Sequence, residues 1–174
     1  LPDGARIEGE SWAAVALHTP GHLSNHICLV AEADGLAPGA VLSGDHVMAW
    51  ATTMVSPPEG DMAAFLASLR RMQGRGDRIL YPGHGAPVRE PERMIAHQLA
   101  HREGRERQIL AALEAAGTAG ATPMELTRSI YAEVDPKLHP AAARNVLSHL
   151  IGLVETGAAA HDGALGPEAR FRLA

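Results

Sequence analysis

Cysteine, aromatic residues and positive charge are all scarce in this 174-residue sequence, and each shortage removes a class of protein. The single cysteine, Cys28, excludes an internal disulfide framework and fits a reducing compartment, so a cytoplasmic location is expected. Aromatics make up only 3%, which leaves Ala, Leu, Val and Ile to fill the core. The formal net charge of −5 argues against a general nucleic-acid surface, which needs clustered Lys and Arg. No apolar run approaches the ~20 residues that span a bilayer. No signal peptide pattern opens the chain. Its first residue is Leu1 rather than Met, as expected of a fragment, a processed product or a truncated chain.

Hydrophobic residues make up 46%, so a packed core is expected rather than disorder. Trp12–Leu17, Ile27–Val30, Ala40–Ser43 and Ile79–Tyr81 are short apolar runs bounded by Pro and Gly and read as strands. Asp61 to Met72 reads as a helix with Met62, Phe65, Leu66 and Leu69 on one face, ended by Gly74 and Gly76. Beyond Glu92 the character changes. A long linking helix is expected up to Ala116, broken near Gly104 and exposed over the polar stretch His101 to Gln108. Thr122-Pro123-Met124-Glu125 fits a capping box, and Leu126, Ile130 and Val134 then recur every four residues. Another helix is expected from Pro140 to Glu155, burying Val146, Leu147, Leu150, Ile151 and Val154. Ala158 to His161 and Arg170 to Leu173 could pair as a hairpin, and helices followed by a hairpin suggest a winged-helix module.

Three segments carry the chemistry: His18-Thr19-Pro20-Gly21-His22, Ser43-Gly44-Asp45-His46 and Tyr81-Pro82-Gly83-His84-Gly85. Each follows an expected strand, where scaffolds tend to present functional side chains. His and Asp are zinc ligand types, and glycines let a backbone approach a metal closely. Taken singly, each of these side chains could serve only a turn or a cap.

In order and placement the three segments resemble the later metal motifs of the metallo-β-lactamase superfamily. The resemblance implies that His22 binds one zinc, that Asp45 bridges two metals and that His84 binds the second. Pro57-Pro58-Glu59-Gly60-Asp61-Met62 and His101-Arg102-Glu103-Gly104-Arg105-Glu106 are similar to the β-lactamase-like-2 subgroup, which ends in a winged-helix-like tail. The family's first metal motif, H-x-H-x-D-H, appears nowhere in the chain. The expected fold class is therefore α+β, the C-terminal half of an αββα sandwich followed by a helical winged-helix-like domain. The expected divisions are residues 1–90 for the half-sandwich, 91–116 for the linking helix and 117–174 for the winged-helix-like domain. Leu23 stands where many relatives place Ser or Thr.

The implied activity is zinc-dependent hydrolysis, in which a hydroxide on two zinc ions attacks an ester, thioester, lactone or phosphodiester. No protein nucleophile is required. The chain alone is expected to be inactive. Its open sheet is expected to need the missing N-terminal half or a second copy of itself.

Two other readings stand beside this one. A degenerate metal half-domain could act as a non-enzymatic interaction module. The tail could also bind or cleave single-stranded RNA, although residues 97–174 carry eight Lys and Arg against nine Asp and Glu. Of the remaining histidines, His26 is a tentative substrate-pocket residue and His18 is expected to be structural. His46 is expected to support its neighbour Asp45. His97 and His101, four apart, are expected on a solvated helix face. Cys28 is expected to be a buried, inert thiol.

Overall fold

The computed structural model describes residues 1–174. The first half of the chain builds one sheet from β1 (Arg6–Glu8), β2 (Trp12–His18), β3 (Ile27–Ala33), β4 (Ala40–Gly44) and β5 (Ile79–Pro82), in that spatial order. The first four strands pair antiparallel. Strand β5 joins β4 in parallel after a crossover through α1 (Met62–Met72). Helix α1 starts where Asp61 accepts the Ala64 amide at 2.9 Å, capping one of the helix's free N–H groups.

Strand alternation divides the sheet into two faces. Leu17, Cys28, Val41 and Leu80 point to one side and pack on Phe65, Leu69 and Met72 of α1 and Ile95 of α2 (Pro91–Ala116). On the other side Leu29, Leu42 and Tyr81 lie in register across β3, β4 and β5. Leu42 is 43% exposed there, and Trp12 on the same face is 47% exposed. Helices cover the first face, whereas the second carries these exposed side chains beside the buried Ala14, Ala16, Ala40 and Ile79.

Helix α2 differs from the sequence expectation. It runs unbroken through Gly104, and its polar middle is not wholly exposed. Gln98 and Arg102 are 1% and 3% exposed. A lone helical glycine costs only about 1 kcal/mol relative to Ala, too little to break a helix packed at both ends. Ile95 and Leu99 anchor its first part in the sheet core, while Ile109 and Leu113 anchor its last part in a second core.

That second core is closed by α3 (Pro123–Ile130), α4 (His139–Glu155) and the hairpin of β6 (Ala159–Asp162) and β7 (Arg170–Leu173), with 3-10 turns at Gly117–Ala119 and Pro136–Leu138. Leu126, Val146, Leu150 and Phe171 fill it. The Thr122–Glu125 capping box is present in both directions. Helix α3 stops at Ile130, so Val134 lies beyond it, in the approach to the Pro136 turn. Ala121 pairs with Phe171 as a third short bridge beside the hairpin. Arrangement and order are those of a winged helix.

His149 of α4 is 1% exposed against α2, and neither ring nitrogen has a hydrogen-bond partner. Its Nδ1 lies 3.8 Å from Glu106 Oε2. Burial pushes the imidazole below its ordinary 6.5, Glu106 pulls it back, and Arg102 and Arg105 add to the depression. A histidine held neutral in this way binds fewer protons folded than unfolded. Its contribution to stability is complete above pH 6.5 and is lost as pH falls below it. Urea denaturation between pH 8 and pH 5 should show a flat stability above about 6.5 and a decline below, steeper in the wild type than in His149→Gln.

Candidate metal centre

The three strand-end segments meet at one rim of the sheet. His22 is presented by the turn that leaves β2. The Gly21 carbonyl accepts the Asp61 amide at 2.8 Å, and the Ser68 hydroxyl donates to the Pro20 carbonyl at 2.7 Å, so α1 holds this turn from beneath. Asp45 follows Gly44, whose φ of +51° turns the chain out of β4. His84 follows Pro82-Gly83 at the end of β5. A Cβ at Gly83 would lie 2.8 Å from Asp45 Oδ1, so a larger residue there would displace the carboxylate.

The Asp45 carboxylate lies between the two imidazoles. His22 Nε2 is 3.9 Å from Oδ2, and His84 Nε2 is 3.7 Å from Oδ1. Both separations are too long for hydrogen bonds. They are slightly wider than the roughly 3.3–3.6 Å between two donors on one tetrahedral ion with bonds of about 2.0–2.2 Å. His22 Nδ1 lies 2.7 Å from the Met54 carbonyl. A carbonyl only accepts, so Nδ1 carries a proton and Nε2 is the nitrogen turned towards Asp45. This is the state in which histidine binds a metal, with its other nitrogen bound to a carbonyl. His84 is 70% exposed, and His22 and Asp45 are about one third exposed, so the rim is open to solvent.

The three side chains could offer donors to two ions rather than enclose one. No three His, Cys, Asp or Glu side chains converge to hold a single ion. Each Asp45 oxygen faces one histidine, so an ion on either side would meet two of these side chains.

The other histidines fall around this rim. His18 Nε2 donates to the Ser24 carbonyl at 3.2 Å, and the His18 backbone is bound by Asp3 and Arg71. His26 is bonded through Nδ1 to Thr19 Oγ1 at 2.9 Å, and its Nε2 is 2.7 Å from where a Gly44 Cβ would stand. Burial, then the nearby His22, lowers its affinity for a proton. His46 is wholly buried, edge-on to Phe65 at 5.0 Å between ring centres, and burial pushes it down to about 3. Cys28 is also wholly buried, and burial pushes its thiol up to about 11, so it is no thiolate at neutral pH. His97 and His101 lie on an exposed part of α2. His97 lines an open groove of about 480 Å³ with Ala49, Arg89, Arg93 and Met94, apart from the three rim residues.

Sequence reasoning missed the residues that steady the rim from outside the sheet: Thr53, Met54, Arg102 and Asn145. Thr53 donates to the Asp45 carbonyl, and Met54 orients His22. Only Arg102 stands in a segment with a family resemblance, and no local pattern marks any of the four.

Residues 122–167 match the beta-lactamase associated winged helix domain family. An atrochrysone carboxyl ACP thioesterase of Aspergillus fumigatus is 33% identical over 66% of this chain and 34% of its own length. A beta-lactamase-like protein 2 homolog of Drosophila melanogaster is 30% identical over 81% of this chain and 45% of its own. The crystal structure of a metallo-beta-lactamase family protein from Thermus thermophilus superposes on the whole chain and 54% of its own, with a TM-score of 0.80 and 26% identity. The chain thus spans between a third and about half the length of these relatives.

Proposed function

We propose, from the premise that this chain belongs to the metallo-β-lactamase superfamily and corresponds to the C-terminal part of its members that carry a winged-helix domain, that it supplies half of a dinuclear metal centre to a hydrolase acting on an ester or thioester. The observation that carries this reading is the placement of the Asp45 carboxylate between His22 Nε2 and His84 Nε2, one oxygen towards each. His22 would hold one ion, His84 the other, and Asp45 both. The metal is proposed to be zinc, which suits imidazole and carboxylate donors. When bound, such a pair supplies Lewis acidity and brings the pKa of a water towards neutrality. The chain's own contribution is to hold the Asp45 carboxylate between the two imidazoles and to leave the His84 side open to substrate.

A catalytic zinc takes three protein ligands as a rule, and each position here has two. The remaining donors are proposed to come from the rest of a longer parent, packed on the open sheet face that bears Trp12, Leu29, Leu42 and Tyr81. The thioester preference draws on the Aspergillus relative, whose name describes a thioesterase. The RNA reading finds less support. Helix α4 turns Asn145 and His149 towards the rest of the molecule, and Arg144 is its one Lys or Arg.

The test is metal content and thioester hydrolysis of the full-length parent beside its His22→Ala and His84→Ala variants. Each variant should lose about one of two bound ions and most activity. The 174-residue chain alone should hydrolyse nothing above background. Unchanged metal content and activity in both variants would sink the reading.

A further inference from the structure

The segment from Asp45 to Val55 has no helix or strand, yet His46, Val47, Thr53 and Val55 are buried. Its backbone is held by side chains from outside the sheet. The Gln98 amide of α2 donates to the Met48 carbonyl at 3.2 Å. Arg102 donates through Nη2 to the Thr53 carbonyl and through Nη1 to Asn145 Oδ1 at 3.3 Å. The same Asn145 oxygen, on α4 of the winged helix, accepts the Val55 amide at 3.0 Å. Thr53 and Val55 are therefore tied to a single Arg102–Asn145 pair.

Met54 stands between those two anchors, and its carbonyl accepts the proton of His22 Nδ1. The Thr53 hydroxyl also donates to the carbonyls of Asp45 and His46. One side chain of α2 and one of α4 thus fix three consecutive residues, and these touch both His22 and Asp45. Arg102 has no carboxylate partner in this buried setting. Its hydrogen bonds go to this segment and to Asn145, and its guanidinium lies 5.4 Å from the centre of the Phe65 ring.

We infer that Arg102 and Asn145 are positioning residues through which the docked winged helix holds His22 in the tautomer that presents Nε2 to Asp45. An imidazole free in water exchanges between tautomers, and the hydrogen bond at one nitrogen decides which lone pair the other offers. Removing such outer partners commonly weakens metal binding by about 10–100-fold. The inference rests on the metal reading above only for this last consequence.

The test has a metal-free arm. In the 174-residue chain with 15N-labelled histidine, ring NMR above the imidazole titration range should show His22 protonated at Nδ1. Asn145→Leu, which keeps the bulk and removes the acceptor, should shift His22 towards the Nε2-protonated form. Asn145→Asp, which keeps an acceptor for Val55 and Arg102, should restore it. Leu150→Ala weakens the same helix's core without touching the pair and should leave the tautomer unchanged. If Asn145→Leu does not fold, Asn145→Ala takes its place. An unchanged tautomer on loss of the acceptor, or an equal shift in Leu150→Ala, would overturn the inference. In the full-length parent, zinc affinity by chelator competition should fall about 10–100-fold in Asn145→Leu and recover in Asn145→Asp. A shifted tautomer with unchanged affinity would refute the role in metal binding. Zinc loss in His22→Ala separately decides whether the metal reading holds.

Discussion

Asp45→Ala in the full-length parent should abolish binding of both metal ions and lower hydrolysis by at least about 10³-fold, roughly 4 kcal/mol of transition-state stabilisation. The size of the effect follows from position. His22 and His84 each face one carboxylate oxygen, and neither faces the other's oxygen. Losing one histidine should spare half of the donor set, whereas losing Asp45 removes the group common to both halves. The fold should survive, because the carboxylate itself makes no hydrogen bond and what holds its loop is the Asp45 backbone carbonyl, bound by Thr53. Metal analysis, activity and a thermal unfolding curve on the same preparation separate these effects. A variant that keeps both ions, or that loses activity only by unfolding, contradicts the bridging role.

Gly21→Ala should be among the most destabilising single substitutions in the chain, by roughly 3–5 kcal/mol. Gly21 has a φ of +135°, a conformation essentially closed to a residue with a side chain. A Cβ there would also lie 2.3 Å from the Phe65 Cα and 2.4 Å from its amide nitrogen. Those atoms belong to the backbone of α1 and cannot rotate aside. The turn must lift off the helix, taking His22 from Met54 and breaking the contact between the Gly21 carbonyl and Asp61. Urea unfolding of the 174-residue chain measures the loss. A cost below about 1 kcal/mol would show that the turn relaxes more easily than its packing implies. Gly74→Ala is a useful contrast. It too has a positive φ, but nothing lies within 4 Å of an added Cβ, so only backbone strain is introduced.

Local signals served well where the physics is local. The strand runs, the Asp61 cap, the Thr122–Glu125 box and the positions of His22, Asp45 and His84 at strand ends all follow from patterns within a few residues. The unbroken α2 was not legible, because Gly104 and the charged run around it argue locally for a break and exposure. Packing at both ends of that helix overrides this, through Ile95 and Leu99 on one side and Ile109 and Leu113 on the other. Burial of Arg102 was hidden for a related reason. A polar residue among polar residues looks solvated until the loop and helix that cover it are in place.

The sequence by itself determined the elements, the family resemblance and the types of donor, because propensity, capping and motif order are short-range properties. Tertiary structure decided how those candidate residues are placed. It set one histidine against each Asp45 oxygen, left Trp12 and Leu42 exposed on one face of the sheet, and brought Asn145 to a segment 90 residues away. These are consequences of chain segments far apart in sequence meeting in space, and no pattern within either segment encodes the meeting.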